Sequence, residues 1–286
     1  MAMALRAGLM AGIAAAGIGL AMPVPAIAQP SAPPLAPHRA IYDITLDKSR
    51  GGTGVAEVTG RMVYELTGST CEGYTQSMRF VTRMTSQDGT PTLSDLRSSS
   101  WEEWGAKKFR FSSSQYKDEK LGDQVSGDAE RDDKDIVVQL TRPKKGEQKL
   151  AGAALFPIQH SLALLDAARA GKSMFTTDLY DGSEKGDKVF ATTAVIGKRL
   201  APGFNKTLKS VGKAEKLDAL PAWPISLSYF EKGQDKQDAL PTYELGFVFF
   251  DNGVSRRLFI DYGEFSIKGQ LQDLTFLDET KCERKP

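Results

Sequence analysis

The chain has 286 residues and a formal net charge of +1, from 37 basic and 36 acidic side chains. No basic excess is present to collect phosphates, so a nucleic acid is a poor candidate partner. A chain of this length can bury one large core, and all-β proteins of this size often form a single domain.

The N-terminus has the features of a secretory signal peptide. Arg6 precedes an apolar stretch over residues 7–22, and Ala26-Ile27-Ala28 places small residues two apart, so we expect cleavage after Ala28. A membrane anchor is the alternative, but the stretch is shorter than the roughly 20 residues that span a bilayer. Cleavage of residues 1–28 also removes Arg6, which brings the net charge to zero. The sequence therefore predicts export to the periplasm.

Residues 29–37 contain four prolines and predict an extended or disordered leader. We therefore place the folded domain at residues 38–286.

Apolar and polar side chains alternate along most of this domain, which is typical of half-buried strands. Asp251-Asn252-Gly253 separates two such runs and predicts a hairpin, because Asn and Gly tolerate positive φ. The predicted strands are residues 42–46, 55–66, 78–85, 92–101, 109–111, 136–140, 174–180, 189–196, 223–230, 243–250, 255–262 and 271–277.

One segment follows the helical period instead. From Pro157 to Gly171, apolar residues recur at Ile158, Leu162 and Leu165, with Pro suited to the first turn and Gly to the end. A weaker helical pattern covers residues 205–219, where a loop fits equally well.

More than ten strands with one or two internal helices indicate a mainly β fold. A flat antiparallel sheet of that width would twist and expose long edges. We therefore expect a strongly curved sheet that forms a broken barrel or β-spiral.

The two cysteines, Cys71 and Cys282, lie near the two ends of the domain. An oxidising compartment favours a disulfide between them, which would tie the last strand to an early one. Two unpaired buried thiols are the alternative. Two cysteines with two distant histidines lack the spacing of a metal site, so we expect no metal and no cofactor.

Candidate catalytic residues are few. His160 and Asp166 share the predicted helix, but no Gly-x-Ser-x-Gly elbow supplies a nucleophile. Glu102 and Glu103 could serve in glycoside hydrolysis, although sequence cannot fix the separation of two carboxyl groups. Acidic residues between 128 and 135 lack the mid-loop Gly of an EF-hand and favour a solvated hairpin tip over a calcium site. The sequence therefore favours a protein that is not an enzyme.

Aromatic side chains are concentrated in two regions, which either fill the core or line a groove for an apolar ligand. The residues are Trp101, Trp104, Phe109 and Phe111, and then Phe247, Phe249, Phe250 and Phe259.

Several short motifs occur in order along the domain. They are Pro37-His38-Arg39-Ala40-x-Tyr42, Cys71-Glu72-Gly73-Tyr74, residues 96–102 (LRSSSWE), residues 156–161 (FPIQHS), Tyr180-Asp181-Gly182-Ser183 and the late Cys282. Together they resemble the EipB family of alphaproteobacterial periplasmic proteins, which maintain cell-envelope integrity. The resemblance covers the chain from about Pro37 to Cys282.

The resemblance implies a β-spiral, a disulfide between Cys71 and Cys282, and a periplasmic tetratricopeptide-repeat protein as partner. We therefore expect a non-enzymatic periplasmic protein that supports envelope integrity by binding a partner. A periplasmic carrier of lipid or lipoprotein acyl chains in an apolar groove is the alternative. The oligomeric state stays open.

Overall fold

The computed structural model describes residues 35–51, 54–132, 134–201, 203–204, 214–232 and 240–280. These residues form one sheet of fourteen strands, in which every pairing between neighbouring strands is antiparallel. The strands are β1 His38–Ser49, β2 Val55–Ser69, β3 Gly73–Ser86, β4 Pro91–Glu102, β5 Lys108–Lys117, β6 Lys120–Arg131, β7 Asp135–Arg142, β8 Gly146–Ala151, β9 Met174–Leu179, β10 Phe190–Ile196, β11 Ala222–Glu231, β12 Tyr243–Phe250, β13 Ser255–Asp261 and β14 Phe265–Phe276.

Two runs of hairpins meet at the pairing of the first strand with the last. The order across the sheet is β8-β7-β6-β5-β4-β3-β2-β1-β14-β13-β12-β11-β10-β9. The β12–β13 hairpin turns at Asp251-Asn252-Gly253 as predicted, and Gly253 there has a φ of 86°. Strands β8 and β9 are the two ends of the sheet.

The two ends curl toward each other without forming a continuous ladder. Leu155, which follows β8, makes an isolated bridge to Leu179 of β9. The side-chain amide of Gln148 in β8 donates a 2.5 Å hydrogen bond to the carbonyl of Gly186, beyond β9. The prediction of a mainly β, strongly curved, broken barrel is confirmed.

A helix, α1 Pro157–Arg169, connects the two ends and lies inside the curve. One core cluster joins Leu164 and Leu165 of this helix to Leu66 and Tyr74 of β2 and β3, and to Trp223 of β11. Because β3 and β11 are far apart in the sheet order, one core cluster can include both strands and the helix only where the sheet curves around the helix. The sheet thus wraps around its one α-helix, and the helix fills one part of the interior.

The leader and the second predicted helix lie only partly within the described residues. Leu35 of the leader is buried, and the Ala36 N–H donates to the carbonyl of Asn252 at 2.9 Å. The packed part of the chain therefore begins before His38. Of residues 205–219, Ala214–Leu217 forms a short 3₁₀ helix, and residues 205–213 are outside the described residues.

Within the described residues, no helix is long and apolar enough to cross a membrane.

Candidate functional site

A buried carboxylate from the sheet fixes the start of α1. The residue before the helix is Phe156, whose side chain cannot cap the free backbone N–H groups of the first turn. Glu102, at the end of β4, accepts from the N–H of Ile158 at 2.6 Å and from that of Gln159 at 3.0 Å. A carboxylate from a distant strand thus does the work of a local cap.

Burial raises the pKa of Glu102 to about 7, although its two backbone hydrogen bonds and the nearby Arg131 act in the opposite direction. Arg131 in turn donates to the carbonyl of Ala154 at 2.7 Å and to that of Gly152. Its guanidinium lies 4.7 Å from the ring centre of Phe156. Glu102 and Arg131 together hold the segment that leads into the helix.

The other end of α1 is tied to the β12–β13 turn. Arg169 donates to the Asp251 carboxylate at 2.6 Å and to its backbone carbonyl at 2.9 Å, and pairs with Asp166 at 2.8 Å. The helix is therefore anchored at both ends, by the hydrogen bonds of the Glu102 carboxyl at its start and by the Arg169–Asp251 ion pair at its end.

Beside the helix the interior is hollow. A cavity of about 300 Å³ lies between α1 and the strands on both sides of the β1–β14 pairing. Its apolar wall comes from Met62, Leu164, Leu179, Leu227, Leu245, Phe247, Phe249 and Leu258. This volume is at the lower end of the range for small-molecule sites, which are largely apolar with a few polar groups.

The polar groups of the cavity are neutral or acidic. Burial raises the pKa of Asp181, which accepts a 2.9 Å hydrogen bond from the Ser183 N–H. Tyr229 stacks on Tyr243 with ring centres 4.4 Å apart, and burial, followed by the charge of Asp181, raises the pKa of Tyr229. None of the described residues that line the cavity is Lys or Arg. A ligand with a negatively charged group would therefore find no opposite charge there.

The two histidines form hydrogen bonds within the fold. Thr192 donates its hydroxyl proton to the Thr177 carbonyl at 2.8 Å, so His160 Nε2 must donate across the 3.0 Å contact to Thr192 Oγ1. Burial lowers the pKa of His160 to about 4, which keeps the ring neutral. His38 donates from Nδ1 to the Ala36 carbonyl at 2.7 Å.

The predicted acidic sites take other roles. The buried Glu102 carboxyl group accepts hydrogen bonds from the first turn of the helix. The acidic hairpin tip contains fewer residues than predicted, because Asp128 lies within β6 and pairs with Arg110 at 2.7 Å. Asp132 accepts from the N–H of Lys134 and forms the turn itself. No cluster with the composition of a metal site exists among the described residues.

The two aromatic regions of the sequence lie in different parts of the interior. Phe109, Phe111, Phe156 and Tyr180 form a closed cluster in which Phe109 and Phe156 stack at 4.9 Å. Phe109 is 1% exposed and does not line the cavity beside α1. Phe247 and Phe249 do line the cavity. Sequence alone did not point to Glu102 as a cap or to Asp181 as a cavity residue, because both roles depend on contacts between distant strands.

The disulfide and the signal peptide cannot be followed in full. Cys71 lies in the turn between β2 and β3, but Cys282 is outside the described residues, as are residues 1–34. Both the bridge and the cleavage after Ala28 stay predictions.

An open antiparallel sheet wrapped around one helix, with an apolar cavity beside it, defines a barrel-like β protein with an internal pocket. The family model described as EipB-like matches residues 29–278, so the chain belongs to the EipB-like family. It is 40% identical to the cell envelope integrity protein EipB of Brucella abortus (strain 2308) over 251 residues, which are 88% of each chain.

A solved structure agrees with this fold. The crystal structure of a beta-barrel-like protein, a domain of unknown function from Brucella abortus, superposes with a TM-score of 0.79 at 40% identity. The match covers 86% of this chain and 99% of that one. The relationship supports a role in cell-envelope integrity and indicates the cell envelope as the location.

Proposed function

We propose that the protein is exported to the periplasm and supports envelope integrity by binding, without catalysis. The observation that carries this proposal is the apolar cavity held open beside a helix that is anchored at both ends. The residues considered for catalysis support it as well, because Glu102 and His160 are buried in hydrogen bonds that hold the helix to the sheet. The partner implied by the family resemblance is a periplasmic tetratricopeptide-repeat protein.

Cross-linking in intact cells followed by pull-down tests the partner. We expect the tagged protein to retain a periplasmic or membrane protein, and a deletion strain to be more sensitive to detergent. Retention of no envelope protein, together with unchanged detergent sensitivity, would show the proposal to be wrong.

A second candidate function is carriage of a lipid or lipoprotein acyl chain, and the inner face of the sheet favours it. The row that contains Met62 in the cavity continues through its cross-strand neighbours Phe80 and Leu96, which are half-buried. The half-buried Met78 and Met84 flank this row on β3, and methionine adapts its shape to varied apolar ligands. No described residue that lines the cavity is Lys or Arg, which favours a chain joined through a neutral ester or amide over a free fatty acid.

Native mass spectrometry of protein purified without detergent tests the carrier function. We expect a co-purified acyl lipid that is lost in Ser161→Phe, because Ser161 lines the cavity from the helix. Ser99→Phe, at an exposed position of β4, is the matched control and should keep the lipid. A ligand-free parent, or equal lipid in both variants, excludes the carrier.

We also propose the Cys71–Cys282 disulfide, which the course of the last residues supports. The Leu277 N–H donates to the Pro37 carbonyl at 2.9 Å, which continues the chain along β1. Burial raises the pKa of Tyr74 to about 12, and the nearby Glu279 acts in the same direction. Tyr74 lies just after the turn that holds Cys71, so the chain end approaches that turn.

Melting of the Cys71→Ser variant in non-reducing buffer tests the bridge. Closing a loop of more than 200 residues stabilises a fold by up to about 5 kcal/mol in the chain-entropy model. We expect the variant to melt at a clearly lower temperature than the parent. In reductant, the parent should melt at the same temperature as the variant. Equal melting of variant and parent without reductant would contradict the disulfide.

A further inference from the structure

Two apolar side chains are exposed next to each other on the outer face of the sheet. Met174 of β9 and Val195 of β10 are cross-strand partners and are 60% and 56% exposed. On these strands the side chains that point inward, Phe175 and Ala194, pack against the main core. Positions 174 and 195 therefore point outward, where an antiparallel strand normally has polar residues. Thr176, the next outward residue of β9, fits this rule. Nothing in the packing of the described core requires these two apolar side chains.

Basic residues lie next to this apolar pair, just beyond the end where β9 begins and β10 ends. The Ile196 N–H donates to the Ser173 carbonyl at 2.8 Å, so the segment before β9 and the segment after β10 run side by side. Lys172 lies on one segment, and Lys198 and Arg199 lie on the other. All three line one open pocket of about 530 Å³, with the aromatic Trp223 in its wall.

No described residue compensates the charges of these three side chains. Arg169 and Asp251, which also line the pocket, neutralise each other in a 2.6 Å ion pair. Among the described residues, no carboxylate lies within ion-pair distance of Lys172, Lys198 or Arg199. The pocket therefore carries a local positive charge on a chain whose overall charge is close to zero.

We propose that this basic–apolar patch, formed by Lys172, Met174, Val195, Lys198 and Arg199, docks the protein on the surface of an anionic phospholipid bilayer. Headgroup phosphates occupy the basic pocket, while Met174 and Val195 enter the boundary between headgroups and acyl chains. Interfacial binding combines these two contributions, electrostatic attraction to anionic lipid and burial of apolar side chains. A nucleic acid or a soluble phosphate would account for the cations but not for the exposed apolar pair. The inference goes beyond the proposed function, because it names the surface on which the protein works.

Flotation with lipid vesicles tests the patch. We expect the protein to float with vesicles of phosphatidylglycerol and phosphatidylethanolamine, to float much less with phosphatidylcholine alone, and to lose binding as salt rises. The double variant Lys198→Glu, Arg199→Glu should reduce partitioning by at least about tenfold, since each cation near an anionic surface contributes about fivefold or more. Met174→Ser with Val195→Ser should reduce it as well while leaving its salt dependence in place.

Matched controls lie elsewhere on the surface. Lys144→Glu with Lys145→Glu, in the β7–β8 turn, changes charge equally at exposed positions, and Leu121→Ser removes an apolar side chain that is 52% exposed. Both controls should bind vesicles like the parent. Equal binding to neutral and anionic vesicles, or equal losses in controls and patch variants, would overturn the proposal. A third result would also overturn it: the parent binds no vesicle but retains a protein from envelope extracts, and the Lys198→Glu, Arg199→Glu variant does not retain that protein. The patch would then bind an acidic protein.

Discussion

The interior of the curved sheet has a solid region and a hollow region, and both are built from aromatic residues. In the solid region Phe109, Phe111, Phe156 and Tyr180 contact one another, with ring centres 4.9 to 6.4 Å apart. In the hollow region, aromatic and aliphatic side chains such as Phe247 surround a cavity of about 300 Å³. The same residue types give a packed core in one place and a pocket in the other.

The difference arises from how closely the opposite walls approach. A Cβ at Gly182 would lie 2.3 Å from the ring of Phe111, and one at Gly127 would lie 2.9 Å from it. Glycines thus let the segment after β9 and strand β6 close onto this ring. In the hollow region the anchors at Glu102 and Asp251 fix the position of α1. Rings of neighbouring residues there still contact each other, as Phe247 and Phe249 do at 5.4 Å, but a cavity remains between the helix and the facing strands.

The largest expected effect comes from deleting one ring in each region. Phe109→Ala should lower the free energy of unfolding by about 3–5 kcal/mol, because a fully buried ring leaves a new void. Phe247→Ala, which only enlarges an existing cavity, should cost about 1–2 kcal/mol. Urea unfolding measures both values. Equal costs would show that the hollow region is as tightly packed as the solid one.

A slightly smaller effect is expected from adding a methyl group where the chain approaches the Phe111 ring in the solid region. Gly182 has a φ of 68° as well as the contact with Phe111, so Gly182→Ala should cost about 3 kcal/mol from strain and overpacking together. Gly89 has a φ of 84° but open space around it, so Gly89→Ala should cost only about 1–2 kcal/mol. Thermal unfolding compares the two. A Gly182→Ala cost no greater than the control would show that the contact is not tight.

The smallest expected effect is the net pH dependence of the parent, because the two titrating groups at the helix start act in opposite directions. The pKa of Glu102 is raised to about 7, so the folded state binds its proton first, and its contribution to stability grows as pH falls from about 7 to 4.5. The pKa of His160 is lowered to about 4, so its contribution is lost as pH falls from about 6.5 to 4. Each contribution amounts to about 3 kcal/mol at most.

The two slopes oppose each other between pH 6.5 and 4.5, and substitution should expose them one at a time. Glu102→Gln should lose stability more steeply than the parent as pH falls below 7. His160→Gln should instead gain stability over the parent from pH 6.5 to 4. Unfolding free energies across this range, with Glu103→Gln as the neighbouring control, check the signs. Parallel profiles for parent and both variants would contradict the assignment.

Alternation was enough to predict most of the strands, because a half-buried antiparallel strand has a local period of two. It missed β6 and β8, where Gly, Lys and other polar residues weaken the pattern. The helix over residues 157–169 was predicted from its own period and from Pro157, and the confirmed hairpin from Asn252-Gly253. The curvature of the sheet was also predictable from the number of strands, since a flat sheet of this width would expose long unpaired edges.

The sequence by itself thus determined twelve of the fourteen strands, the helix, the antiparallel pairing of neighbours and the family. Only the tertiary structure decided that Glu102 caps a helix more than fifty residues away, that Phe109 is packed while Phe247 faces a cavity, and that Met174 lies beside three basic residues. The physical reason is that periodicity records which face of an element is apolar, a property of neighbouring residues. The distance between that face and the opposite wall is set by contacts between distant parts of the chain.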